Sequence, residues 1–202
     1  MSFDGLPTYY DHLEASYDEA WTLLKRGKAD RRSPFHTPSI ASVDLNGCPQ
    51  VRTVVLRGAD QDTATLRFHT DIRSRKIPEL QAQPCVSVHV YDKKAKIQLR
   101  LTGHATAHTD GPVKEEAWAA SREMSRECYR LNKAPGTFVG DANDWMIPQE
   151  PEHEDVGKDN FVAVSIQLSA LEWLYLARGG HRRAYFTVAR DGSIASSAWM
   201  VP

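Results

Sequence analysis

The chain is short of cysteine and has no long apolar run, and each shortage excludes a class of protein. Cys48, Cys85 and Cys128 are the only cysteines among 202 residues. Odd in number and without a Cys-x-x-Cys pair, they offer no disulfide frame or zinc site and read as reduced thiols of a cytoplasmic protein. No apolar stretch approaches the roughly 20 residues that cross a bilayer. The start, Met1-Ser2-Phe3-Asp4-Gly5, lacks the basic and apolar segments of a secretory signal. An excess of one charge is missing too. Lys and Arg number 25 against 26 Asp and Glu, a net charge of −1, which argues against a protein that coats nucleic acid. Glycine-rich nucleotide loops, Gly-x-Ser-x-Gly and His-Glu-x-x-His do not occur. Rossmann dehydrogenases, P-loop enzymes and standard hydrolases are thereby set aside.

What is present is a set of short strand patterns with two helical ones. Leu13, Tyr17, Ala20, Trp21 and Leu24 predict an amphipathic helix from Tyr9 to about Lys28. Residues 40–45 and 51–57 read as strands joined by an Asn46-Gly47 turn. Residues 65–70, 86–91 and 95–107 alternate as strands, with a short helix over 75–82 capped by Asp71 or Ser74. Along the last of these strands Ile97, Leu99 and Leu101 take the core face, so Gln98 and Arg100 take the other. Pro112 predicts a helix running to about Leu131. Residues 141–160 read as an acidic loop, ordered in part around Trp145. Residues 161–166, 171–176, 185–189 and 194–200 read as further strands. The expectation is one domain over 1–202, with a helix and linker over 1–34 and the rest a mainly β (α+β) fold. That fold is an antiparallel split β-barrel of about six strands with flanking helices.

Several polar groups on this frame have bland and functional readings side by side. Arg75 and Lys76, with Thr70 and Ser74 beside them, form either a solvated basic turn or an anion site at a helix start. Gln98 is a polar strand residue whose amide also matches the uracil-like edge of a flavin. Arg52 and Arg57 flank Thr53, Val54, Val55 and Leu56, a backbone edge along which a flat ring can lie. The turn from Arg178 to Arg183 concentrates cations around two glycines. His104 and His108 share a face, but no carboxylate or cysteine joins them as metal ligands.

Together the segments 52–57, Phe68-His69-Thr70, Ser74-Arg75-Lys76, Glu79-Leu80 and Gln98 to Gly103 resemble the pyridoxamine 5′-phosphate oxidase-like, FMN-binding split-barrel family. The resemblance covers most of 35–202, ending on Trp199-Met200-Val201-Pro202. It implies FMN as cofactor, a homodimer with flavin sites at the subunit interface, and a small anionic substrate. It implies that Arg52, Thr53, Val54, Val55, Leu56 and Arg57 line the flavin, with His69, Thr70, Ser74, Gln98 and Arg183 also in contact. Arg75 and Lys76 would hold its phosphate. Arg57, Arg122 and Arg182 would meet the substrate.

Three departures bear on the substrate. Arg57 stands where the oxidases have Lys. Their substrate-phosphate Tyr, Arg and Ser correspond to Trp118, Arg122 and Arg126, and their Arg-Leu-His element is shortened to His181-Arg182-Arg183. The reading is therefore an FMN-dependent oxidoreductase. The alternatives are an authentic pyridoxamine 5′-phosphate oxidase and a non-catalytic FMN- or haem-binding barrel with His69, His89, His104 or His108 as iron ligands.

Overall fold

A computed structural model describes residues 6–145 and 155–202. Nine antiparallel strands carry the fold: β1 (Ser39–Val43), β2 (Pro49–Thr53), β3 (Leu56–Asp60), β4 (Thr65–Asp71), β5 (Cys85–Asp92), β6 (Ile97–His108), β7 (Phe161–Tyr175), β8 (Arg182–Val188) and β9 (Ile194–Met200). The main helices are α1 (Leu13–Ala29), α2 (Lys76–Ala82) and α3 (Gly111–Ala119).

The strand order explains why this sheet is a barrel. Seven strands follow the order β2-β1-β5-β6-β7-β4-β3, so β2 and β3 are its two ends. Val54 and Val55 alone separate those two strands in sequence. Laid flat, the ends would be about 29 Å apart at ordinary strand spacing. Three Cα steps reach about 11 Å at most. The sheet must therefore curl until its ends meet, leaving a seam at Val54–Val55. The long strand β7 pairs with β6 from Ala163 to Tyr175, with β4 through its first half and with β8 through its second. β8 and β9 thus form a flap attached to the barrel.

Inside the barrel lie the alternate residues of each strand, among them Leu66, Phe68, Val86, Val88, Ile97, Leu99, Leu101 and Trp173. α1 packs its Tyr17, Ala20, Trp21 and Leu24 onto this core. A smaller cluster of Ala117, Trp118, Tyr129, Phe161 and Ala163 sits beside the seam.

The element boundaries differ from the sequence-based expectation in four places. The strand expected over 51–57 is broken at the seam, and the two expected over 161–176 are one. Seven strands lie on the barrel path, where about six are expected, and β8 and β9 lie off it. The helix expected to Leu131 stops at Ala119, because Arg122 is extended (φ −69°, ψ 150°) and Arg126 donates to the carbonyls of Trp118 and Ala119. Neither Asp71 nor Ser74 gives a side-chain cap to α2. Of the acidic loop, residues 146–154 lie outside the described residues; Trp145 is exposed.

Candidate functional site at the barrel seam

Because β2 and β3 are end strands, the backbone at Thr53, Val54 and Val55 faces a hollow. Its volume is 410 Å³, and Arg57, His69 and Lys76 line it together with those three residues. The opposite wall comes from the segment after α3: Met124, Ser125, Cys128 and Tyr129.

Lys76 is held by two hydroxyls. Its Nζ donates to Thr70 Oγ1 and to Ser74 Oγ, each at 2.8 Å. It has no ion-pair partner among the described residues. Burial, and then the nearby Arg52 guanidinium, push its pKa down despite partial compensation from Glu79 and Asp71. A desolvated ammonium held by neutral groups is a receptive position for an anion.

Arg52 is fixed by a buried carboxylate. Its Nη2 lies 2.7 Å from Glu79 Oε2, and Ser42 Oγ donates to the same oxygen at 2.6 Å. Arg52 Nη1 also donates to Ser42 Oγ. α2 contributes Lys76 to the hollow and Glu79 to this anchor, three residues on and on the same side of the helix.

His69 is positioned by aromatic packing. Its ring meets Phe161 edge-on at 4.8 Å, and Phe161 also touches Trp118 at 5.3 Å and Tyr129 at 5.1 Å. Burial, with Arg67 and Arg57 adding repulsion, lowers the His69 pKa to about 3. It is a neutral imidazole at physiological pH, and its Nε2 is buried without a partner among the described residues.

The other residues singled out from sequence lie elsewhere on the protomer. Leu56 is buried in the core. Arg75 borders a different depression, with Asp44, Asn46 and Glu79. Arg122 lies with Arg57 in a second hollow adjoining the first. Arg182 is paired with Asp11 at 2.6 Å and stacks over the Tyr10 ring at 4.4 Å. Gln98 and Arg183 are on the sheet face. In register, Tyr91, Gln98, Leu174, Arg183 and Met200 form one row across β5 to β9, so their side chains share a side. The next row sets His89, Arg100, Glu172 and Tyr185 beside it. Arg100 and Arg183 both pair with Glu172, at 3.3 and 3.0 Å. His89 Nε2 is 3.2 Å from Gln98 Oε1. His104 is exposed, and His108 Nε2 is 3.1 Å from Ser165 Oγ.

Sequence reasoning passed over Ser125, Cys128 and Tyr129, because a continuous helix through 131 gave no reason to aim them at the seam. Glu79 was visible as part of a motif, but nothing in its spacing assigned it to Arg52.

Comparison with known proteins follows the same residues. Residues 18–109, which include the seam, Lys76 and Gln98, match the family described as pyridoxamine 5′-phosphate oxidase, FMN-binding domain. The chain is similar to the pyridoxamine 5′-phosphate oxidase-like proteins and shares their split-barrel fold. Pyridoxine/pyridoxamine 5′-phosphate oxidase 2 of Arabidopsis thaliana is 34% identical over 54% of this chain and 60% of its own length. The pyridoxine/pyridoxamine 5′-phosphate oxidase of Bradyrhizobium diazoefficiens is 33% identical, over 52% of this chain and 46% of its own length. The chain thus spans roughly half of these curated relatives. A pyridoxamine 5′-phosphate oxidase-related, FMN-binding protein of Nostoc punctiforme shares the fold across 98% of this chain and 99% of its own, at TM-score 0.75 and 21% identity. PhzG of Burkholderia lata, solved with tetrahydrophenazine-1-carboxylic acid, shares it across the full length of both chains at TM-score 0.70 and 16% identity. FMN binding is a trait of the family.

Proposed function

We propose that this chain is an FMN-dependent oxidoreductase acting on a small anionic substrate, and that it works as a cytoplasmic homodimer. The observation that carries this reading is Lys76: a partly desolvated cation without a carboxylate partner among the described residues, at a hollow edged by strand backbone. The donor set fits FMN. Lys76, Thr70 and Ser74 would hold the phosphate, Arg52 would stand beside them on its Glu79 anchor, and Thr53 to Val55 would flank the ring. FMN supplies the two-electron redox chemistry when bound. The chain's own part is to hold the phosphate, shield the hollow from water with Met124 and Tyr129, and orient an anionic substrate through Arg57.

The separation of Gln98 and Arg183 from the hollow supports the dimer. These residues share a row on an outer face that also presents Tyr91, Met200 and, in the next row, Tyr185, each about two-fifths exposed. Two copies joined by this face would bring Gln98 and Arg183 of one to the seam of the other. No helix among the described residues is long and apolar enough to cross a membrane.

Oxidation of pyridoxamine 5′-phosphate itself is the narrower reading, supported by the names of the curated relatives. Trp118 and Arg126 weigh against it. Trp118 is buried with its Nε1 donating to Asp155, and Arg126 is spent on carbonyls at the end of α3. A direct assay of pyridoxal phosphate formation separates the two.

The test of the cofactor site is FMN titration followed by fluorescence quenching. Lys76→Ala should weaken binding by about tenfold to a hundredfold, as expected for a lost charged hydrogen bond to phosphate. Arg75→Ala should have a smaller effect, because that side chain borders the other depression. Equal affinity of Lys76→Ala and the unaltered protein would refute the assignment.

A further inference from the structure

Beside the seam hollow is a second one of 300 Å³, and Arg57 and His69 line both. Lys28 and Arg31 reach it from the end of α1 and His36 from the turn that follows. Arg67 comes from β4, and Arg122 from beyond α3. No aspartate or glutamate appears among its eleven lining residues.

Five full positive charges around so small a space repel one another, and a fold gains nothing from assembling them without a counter-charge. None of the five makes an ion pair among the described residues. Two of the groups are also left short of hydrogen bonds: Arg67 Nε and His69 Nε2 are buried without partners among the described residues. A merely solvated basic patch does not bury its polar atoms, so the bland reading fails on these two. His36 Nδ1 donates to the Gly27 carbonyl at 2.8 Å, which leaves Nε2 of the neutral ring an acceptor, so the donors for an anion are the arginines and Lys28.

We infer that this second hollow is an anion subsite continuous with the flavin-facing one, and that the substrate carries two anionic groups. One group meets Arg57 and Arg122, and the other enters among Arg67, Lys28 and Arg31. The inference rests on the flavoprotein reading for its account of the first hollow. The second needs only the cations themselves. The volume suits a carboxylate or phosphate arm of a small molecule and is too small for a polymer.

The test is calorimetric titration of the dimeric, FMN-loaded protein in chloride-free buffer. Succinate, glutarate and adipate are compared with butyrate, valerate and hexanoate, so that charge separation is scanned. At least one dicarboxylate should bind about tenfold more tightly than its monocarboxylate, the gain expected from one more charged contact. Arg67→Gln should abolish that advantage, and so should Lys28→Gln combined with Arg31→Gln, whose exposed positions leave folding intact. FMN affinity should be unchanged in both variants. No advantage for any dicarboxylate, or an advantage that survives both variants, overturns the inference. A protein that takes no FMN yet keeps the advantage would refute the flavoprotein reading while sustaining the anion pair.

Discussion

Phe161 is fully buried and touches an imidazole, an indole and a phenol, all edge-on. Truncating it removes the common support of His69 and Tyr129, two walls of the seam hollow. Phe161→Ala should destabilise the protein by about 3–5 kcal/mol in denaturant unfolding. The surviving folded fraction should also bind FMN more weakly, since its site walls are loosened. His69 itself makes a pH-dependent contribution. Its folded pKa of about 3 lies below the unfolded value of 6.5, so between those values the unfolded chain binds the extra proton. Stability should therefore fall as pH drops from 6.5 toward 3, by up to about 1.4 kcal/mol per pH unit. Urea unfolding at pH 7.5 and 5.0 measures this, and His69→Phe should flatten the dependence. At this scale the sequence was informative where a period fixes direction. Ile97, Leu99 and Leu101 are buried, so the outward face of Gln98 was legible. It was not informative for neighbours on a helix start: consecutive residues there diverge by about 100°, and Arg75 and Lys76 accordingly border different depressions.

Among the elements, the β6–β7 ladder shows how one residue type admits another strand. The register slips between Thr102 and Gly103. A Cβ on Gly103 would collide with the carbonyl oxygen of Gln167 and with Ile166. Gly103→Ala must push the two longest strands apart, and a loss of about 2–4 kcal/mol in thermal or urea unfolding is expected. The seam was harder to read. Val54 and Val55 are strong strand formers, and local propensity gave no hint that they end one sheet edge and begin the other. Only the strand order reveals it. The stretch 112–131 misled in the opposite direction: its Ala, Glu and Arg content favours helix everywhere, while the buried face of the continuous helix ends with Ala117 and Trp118 and burial resumes only at Tyr129 and Arg130 after the break. The polar Gln167 and Ser169 hid the continuity of β7, because they sit where that strand bends at the bulge.

For the molecule as a whole, the proposed site is split between two surfaces that a single protomer does not bring together. This makes a complementation experiment decisive. Lys76→Ala chains and Gln98→Ala/Arg183→Ala chains should each bind FMN poorly as homodimers. Co-expressed and separated from the homodimers, they should give mixed dimers in which one of the two sites is intact, and titration of these should recover about half the normal stoichiometry. Sedimentation should show two chains per particle at every stage. Recovery of no high-affinity site would mean that Gln98 and Arg183 do not complete the site across the subunit interface, and normal binding by the Gln98→Ala/Arg183→Ala homodimer would place them outside the flavin's reach.

The long strand β7 has a further consequence. It is hydrogen-bonded to β6 on one side and to β4 and then β8 on the other, so its amides have no route to solvent that leaves the rest of the barrel closed. In heavy water, Val164 and Trp173 should report the same slow clock although they stand at opposite ends of the barrel, because only complete unfolding exposes either. The α1 terminus and the turn at Asp191, held at the periphery, should exchange long before.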